Sequence, residues 1–174
     1  MWCVLQVKGN NELKVLEQLK QKGYHSLVPR ENRLIHTKGA WIQKEYLLFP
    51  NYVFIATDYH AEDFYKISNI AGVQKFLGDK RSPSSLSFIE EEWIKLLSNN
   101  NVPLEPTAVQ VTEDGGIELL KGVLLNFKSR IKSFNKRQRK AVFEITVCNE
   151  IKEITLSIDV IEDKQTRKPM EVSG

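Results

Sequence analysis

The chain has 174 residues, enough for one domain or two small ones. Hydrophobic residues make up 41% and charged residues 27%, the balance of an ordinary soluble globular protein, and no stretch approaches the roughly 20 apolar residues that a membrane-spanning helix requires. A formal net charge of +3 assigns no partner by itself, so the distribution of charge carries more than its sum.

The first residues, MWCVLQVKGNNE, hold neither a charged leader nor a long apolar stretch, so no signal peptide is expected and a cytoplasmic location is read. Trp2 to Val7 reads as a first strand, buried on much of its surface. Gly9-Asn10-Asn11 is a turn in which Asn11 is placed to cap a helix over Glu12 to Lys22. Leu13, Leu16 and Leu19, with Val15 beside them, supply its apolar side, and Gly23 supplies its stop. Tyr24 to Pro29 is a short strand. Leu34-Ile35-His36 and Trp41-Ile42-Gln43 are the arms of a hairpin around Lys38-Gly39.

Leu48-Phe49-Pro50-Asn51-Tyr52-Val53-Phe54-Ile55 is the most concentrated apolar and aromatic stretch of the chain. Tyr52 to Ile55 reads as a strand buried on both faces, with Tyr52 and Phe54 on one face and Val53 and Ile55 on the other. Pro50 lacks a backbone donor and belongs at the strand entrance, which puts Phe49 at a corner where it can be left half exposed. A second helix is expected over Ala61 to Asn69, with Phe64, Ile67 and Tyr65 turned inward, and a strand over Val73 to Leu77. Ser87 and Glu90 form a capping box at the head of a third helix whose apolar face is Phe88, Ile89, Trp93, Ile94 and Leu97. The order β-α-β-β-β-α-β-α, without strict βαβ alternation, predicts an α+β unit: an antiparallel sheet with helices on one side.

The residues from Asn99 to Thr107, with two prolines, have the composition of a linker. Beyond it, Val109-Gln110-Val111, Gly122 to Phe127, Ala141 to Cys148 and Ile151 to Ile161 read as short strands, which suggests a small β-barrel. Within this region Lys128 to Lys140 (KSRIKSFNKRQRK) carries Lys128, Arg130, Lys132, Lys136, Arg137, Arg139 and Lys140, seven basic residues with no acidic one. Phe134-Asn135 lies at its centre and reads as a hairpin tip. A solvated loop is the plain alternative, but one sign of charge at this density around an aromatic points to phosphate contact, with Phe134 available to stack on a base.

Enzymatic chemistry finds little support. His25, His36 and His60 are scattered, and there is no HExxH, GxSxG, Walker A or GxGxxG motif. Glu90-Glu91-Glu92 are consecutive on a helix and point in different directions. Cys3 and Cys148 have no basic neighbour that would mark a nucleophile and no zinc spacing, and are expected to be buried free thiols. A non-enzymatic protein without metal or cofactor is expected.

LFPNYVF resembles the LFPGYV signature of the NusG family of transcription elongation factors, and the Asn after the Pro resembles the specialised paralogues of RfaH and LoaP type. Trp2, Leu27-Val28-Pro29, Asn69-Ile70-Ala71-Gly72-Val73 with Phe76, Pro83 and the helix around Glu90-Glu91-Glu92 match other parts of the family's N-terminal domain, in order. The C-terminal part is similar in position and size to the family's KOW barrel. Gly115-Gly116 and Gly122 fit its turn glycines, while the usual Gly-Pro-Phe is absent and Leu119 stands where glycine is common. The resemblance implies a NusG-like N-terminal domain over 1–99, a linker over 100–107, a KOW-like barrel over 108–163 and a tail over 164–174. It implies that Phe49, Pro50, Tyr52 and Phe54 bind the clamp helices of RNA polymerase, and that Asn69 and Ile70 lie where members contact non-template DNA, although Ile70 replaces a common Thr. The basic run departs from ordinary members, and on this resemblance the chain is expected to be a monomeric, operon-specific elongation or antitermination factor of LoaP type that binds a leader RNA hairpin. Two alternatives stand beside it: a general NusG whose barrel binds a ribosomal protein or termination factor, and a ribosome-associated or plain RNA-binding module.

Overall fold

The computed structural model of the chain describes residues 1–58, 60–79 and 82–161; the expected tail at 164–174 lies outside them. In chain order the elements are β1 (Trp2–Val7), α1 (Glu12–Gln21), β2 (Ser26–Leu27), β3 (Arg30–Thr37), β4 (Ala40–Leu47), β5 (Tyr52–Ala56), α2 (Ala61–Ser68), β6 (Val73–Phe76), the two-residue strands β7 (Gly78–Asp79) and β8 (Ser82–Pro83), and α3 (Phe88–Ser98). There follow β9 (Thr107–Val111), β10 (Ile117–Lys121), β11 (Ile131–Asn135), β12 (Lys140–Val147) and β13 (Glu150–Val160). They fall into two compact units. One gathers Met1–Arg30, Leu47–Pro103 and Thr146–Ile151; the other gathers Glu31–Tyr46, Leu104–Ile145 and the described residues from Lys152 onward.

The first unit is built on a four-stranded sheet of order β2-β5-β1-β6, with β1 antiparallel to β5 and β6, and β2 antiparallel to β5. Strand alternation divides the apolar run of β5. Val53 and Ile55, with Cys3, Leu5 and Val7 of β1, pack on Val15, Leu16 and Leu19 of α1 and Ile67 of α2. Val4 and Phe54 point the other way and are equally buried, so the central strands are covered on both faces, as their largely apolar sequences require.

Both longer helices depart from the expected phase at their first turn. In α1 the buried stripe is Glu12, Val15, Leu16 and Leu19, and Leu13 is 44% exposed. In α3 it is Glu90, Trp93, Ile94 and Leu97, and Phe88 (78% exposed) and Ile89 stand outside it. Each stripe is a regular i, i+3, i+4, i+7 face with a buried glutamate at its head, where the helix N-terminus favours a carboxylate. The capping box at Ser87 forms as expected: Glu90 N donates to Ser87 Oγ at 3.3 Å and Ser87 N to Glu90 Oε1 at 3.2 Å. Asn11, by contrast, makes no side-chain cap and donates to Gly9 O at 3.1 Å. Tyr65, expected inward on α2, is exposed.

The linker-like residues start with three asparagines in left-handed conformation, Asn99, Asn100 and Asn101, with φ of 48°, 53° and 64°. Asn101 is tied down: its Oδ1 accepts from Val28 N at 2.9 Å and its Nδ2 donates to Ser26 O at 3.0 Å, so one side-chain amide serves backbone groups on either side of Leu27 at the short strand β2.

The second unit is a curled five-stranded sheet of order β10-β9-β13-β12-β11, in which β13 runs parallel to β9. Ala141, Phe143 and Ile145 alternate inward along β12, and the Phe127 and Phe143 rings lie 4.7 Å apart. The strand expected over Gly122 to Phe127 is absent; Val123–Arg130 forms a 3-10 segment instead. Leu124 and Phe127, three residues apart, are its buried residues, a spacing that suits a three-residue turn and not a two-residue strand repeat. Gly122 makes the bend with φ 136°, and a Cβ there would lie 2.5 Å from Thr107 Oγ1. The hairpin β3–β4 also belongs to this unit. Its Lys38-Gly39 turn has φ of 49° and 79°, the paired positive values of a tight two-residue hairpin. Leu34 N donates to Ser157 Oγ at 2.9 Å, Ser157 N to Glu31 Oε2 at 3.2 Å and Asn32 N to Leu104 O at 2.8 Å.

Candidate nucleic-acid and protein interfaces

The Leu48 to Ile55 stretch turns sharply into β5. Asn51 has φ 71°, a region that L-residues other than asparagine and aspartate rarely occupy, which gives a physical reason for asparagine or glycine after this proline. Its N–H donates to Glu12 Oε2 at 3.2 Å and its Nδ2 to Val7 O at 3.2 Å, while Val7 N donates to Asn51 O at 2.8 Å. The turn is therefore held against β1 and the head of α1. Phe49, expected half exposed at the corner, is 4% exposed; its ring meets Phe54 edge-on at 5.3 Å, and Phe54 in turn meets Tyr52 at 6.5 Å. Of the four residues expected to bind polymerase, Phe49 and Phe54 are buried, Tyr52 is half-buried and Pro50 is exposed.

Asn69 ends α2 and is exposed. Ile70 is buried within the apolar cluster formed by β1, β5, α1 and α2, so its side chain faces the core and not a ligand. Lys8, Lys14 and Lys20 are exposed.

The basic run spans the end of the 3-10 segment, β11, a turn and the start of β12. Its turn comprises Lys136 to Arg139, so the tip lies three residues beyond the expected Phe134-Asn135, which belong to β11. Asn135 Oδ1 accepts from Gln138 N at 2.9 Å, the hydrogen bond of an asparagine that opens a turn, and Arg139 closes it with φ 55°. The seven cations have different surroundings. Lys132 pairs with Glu144 at 2.6 Å and lies 4.0 Å from Glu153, and these carboxylates push its ammonium pKa up. Lys136 Nζ donates to Gly115 O. Arg139 lies 3.8 Å from Asp159, with its guanidinium 4.5 Å from the Trp41 ring centre. Lys128, Phe134 and Ile131 line a recess of about 500 Å³ together with Ile117 and Leu119 of β10. Arg130 is exposed.

Arg137 and Lys140 converge with Arg33, His36, Trp41 and Tyr46 of the β3–β4 hairpin on a cleft of about 610 Å³. Arg33 stacks 4.5 Å over the Tyr46 ring and pairs with Glu31 at 2.6 Å. Burial pushes the Glu31 carboxyl pKa up, and Arg33 opposes that shift. His36 and Trp41 meet edge-on at 5.1 Å. Sequence pattern does not single out these hairpin residues as binding groups; its only signal is the alternation of cationic and aromatic residues from Arg33 to Tyr46. The cleft offers flat π-faces beside cationic donors, the surroundings that suit a base flanked by phosphates.

Among the described residues no group of three His, Cys, Asp or Glu side chains could hold a metal ion, and no helix is long and apolar enough to cross a membrane. Glu90 is occupied within the first unit: Thr146 Oγ1 donates to its Oε2 at 3.1 Å and Cys148 N to its Oε1 at 3.3 Å. Burial, then the Glu90 charge, pushes the Cys148 thiol pKa up to about 11; burial raises that of Cys3 as well.

The family model for the transcription termination factor NusG matches residues 1–97. The transcription termination/antitermination protein NusG of Helicobacter pylori strain J99 is 23% identical over 171 residues, covering 92% of this chain and 97% of that protein. Its counterpart in strain 26695 is 24% identical over 156 residues, covering 84% and 88%. A solved structure of Thermotoga maritima NusG is similar in fold, with a TM-score of 0.54 at 16% identity over 90% of this chain and 93% of that one. With more than half of its length matched by the family model, the chain belongs to the NusG family of transcription elongation and antitermination factors.

Proposed function

We propose that this protein is an operon-specific elongation and antitermination factor of LoaP type, which binds RNA polymerase through its N-terminal region and a structured leader RNA through a KOW-like C-terminal region. The observation that carries the RNA half is the convergence of Arg137 and Lys140 with Arg33 and two aromatic rings on one cleft. The polymerase half rests on family membership and on Pro50 and Tyr52, which reach the surface at the head of β5 beside the Phe49–Phe54 ring pair. A factor bound across the polymerase cleft favours the closed, elongating state because a ligand shifts an equilibrium toward the state it binds better. Holding both the enzyme and its transcript raises the effective concentration of each contact, so a modest RNA affinity suffices for recruitment to selected operons. The action is one of binding, with no catalytic step.

Two variants of the full chain test this reading. Tyr52→Ala is expected to lose binding to a transcription elongation complex and to keep binding to structured leader RNAs; Lys136→Ala/Arg137→Ala/Arg139→Ala is expected to do the reverse. Retained elongation-complex binding by Tyr52→Ala would overturn Tyr52 as a polymerase contact, and failure of the wild-type chain to bind the complex would leave a plain RNA-binding module. Unchanged leader-RNA binding by the triple variant would make the basic run a solvated face.

A further inference from the structure

The cleft of the second unit contains more than a charged surface needs for phosphate attraction. Its cations come from two separated stretches, Arg33 on β3 and Arg137 and Lys140 around the β11–β12 turn. Trp41 and Tyr46 line the same cleft, each already carrying a guanidinium at 4.5 Å from its ring centre. An aromatic ring that lines a cleft beside cationic side chains is a stacking platform for a base. The turn that aims these groups is fixed: Arg139 N donates to Lys136 O at 3.3 Å, and Arg139 O accepts from Ile158 N at 3.0 Å. Gln138 and His36 add further hydrogen-bonding side chains at the rim. At about 610 Å³ the cleft has the size of a small-ligand site, suited to a single nucleotide and not to a duplex. The major-groove base edges of an A-form stem are also hidden in a deep, narrow groove and its bases stay stacked, whereas loop nucleotides can be splayed out and stacked on side chains.

Building on the RNA-binding reading above, we propose that this cleft takes one unpaired nucleotide extruded from an RNA loop, its base stacked on Trp41 and its flanking phosphates held by Arg137 and Lys140. Discrimination between loop and stem then resides in the β3–β4 hairpin, while the basic turn supplies charge. The hairpin is a nucleic-acid-reading element of the second unit.

The test uses the full chain, a stem–loop RNA pool with a randomised loop, and the same stem as a blunt duplex. The pool is expected to bind more tightly than the duplex. Trp41→Ala is expected to weaken pool binding about tenfold, the effect of removing one stacking platform, and to leave the weak duplex binding unchanged. Intrinsic fluorescence gives an independent readout, because Trp2 and Trp93 are only 8% and 7% exposed and Trp41 is half-buried at the cleft. Pool binding should quench the emission, and the conservative variant Trp41→Phe, which retains a stacking ring, should bind without that quench. Equal affinity for pool and duplex, or an unchanged affinity in Trp41→Ala, would overturn the nucleotide site while leaving RNA binding intact. Equal binding of the corresponding DNA pool would overturn the assignment to RNA. Failure of the wild-type chain to bind any of these RNAs would overturn both this inference and the RNA-binding function beneath it.

Discussion

Glu12 Oε2 accepts the backbone N–H of Asn51 at 3.2 Å, joining the first turn of α1 to the turn that opens β5. Glu12 is almost fully buried, and Asn51 sits at φ 71°. Asn51→Gly keeps the backbone conformation and loses only the Nδ2 bond to Val7 O. Asn51→Ala loses that bond too and keeps a Cβ in the left-handed region without the local side-chain hydrogen bonding that lets asparagine occupy it, at a cost of about 1–2 kcal/mol. Chemical denaturation should therefore rank wild type and Asn51→Gly close together, with Asn51→Ala clearly below.

Gly122 offers a sharper steric test. At φ 136° an added Cβ meets Thr107 Oγ1 at 2.5 Å and Thr107 Cα at 2.7 Å. The backbone atom cannot move aside as a side-chain tip would. Gly122→Ala should destabilise the chain by about 2–3 kcal/mol, the range of overpacking combined with backbone strain, as read from the denaturation midpoint.

Tyr52 and Phe54 share a face of β5 and should separate on substitution. Phe54 is fully buried, and Phe54→Ala should cost about 3–5 kcal/mol, as for a large aromatic removed from a core. Tyr52 is half-buried, so Tyr52→Ala should leave a cooperative unfolding transition near that of wild type and show its effect in polymerase binding.

The Cys148 thiol, pushed up to about 11 by burial and by Glu90, should be a slow nucleophile. At pH 8 the thiolate fraction is far below that of an ordinary cysteine, so alkylation of the native chain should run about a hundredfold slower than that of a model thiol. Glu90→Gln should accelerate it. With the folded-state pKa above the unfolded one, this group's contribution to stability is complete below about pH 8.5 and is lost as pH rises through about 11.

Sequence pattern locates most of the strands and all three helices because hydrophobic periodicity and turn residues report local structure directly. It places Val15, Leu16 and Leu19 of α1 and Trp93, Ile94 and Leu97 of α3 correctly and misses only the first turn of each, for one reason: a glutamate in a helical pattern reads as a surface residue, whereas Glu12 and Glu90 are buried with backbone N–H partners that only the folded chain supplies. Gly122 to Phe127 reads as a strand because apolar runs of this length do not distinguish a strand from a 3-10 turn. The basic run is legible as a feature, but its internal differences are not. Whether a lysine meets a glutamate across the sheet, as Lys132 meets Glu144, or lines an open cleft, as Lys140 does, depends on register. The hairpin residues Arg33 and Trp41 lie about a hundred positions from Arg137 in sequence, a juxtaposition no local pattern encodes.

The most direct test of RNA binding at the cleft compares the salt dependence of leader-RNA binding in wild type, Arg137→Ala/Lys140→Ala and Lys132→Ala. Each phosphate that a variant no longer neutralises should flatten the plot of log K against log salt by about 0.7–0.9. The double variant should flatten the slope by about 1.4–1.8, since both its cations line the cleft, and Lys132→Ala should match wild type because its ammonium is held by Glu144. A Lys132→Ala variant as impaired as the double variant, or a double variant with an unchanged slope, would contradict the cleft as the place where this protein holds RNA.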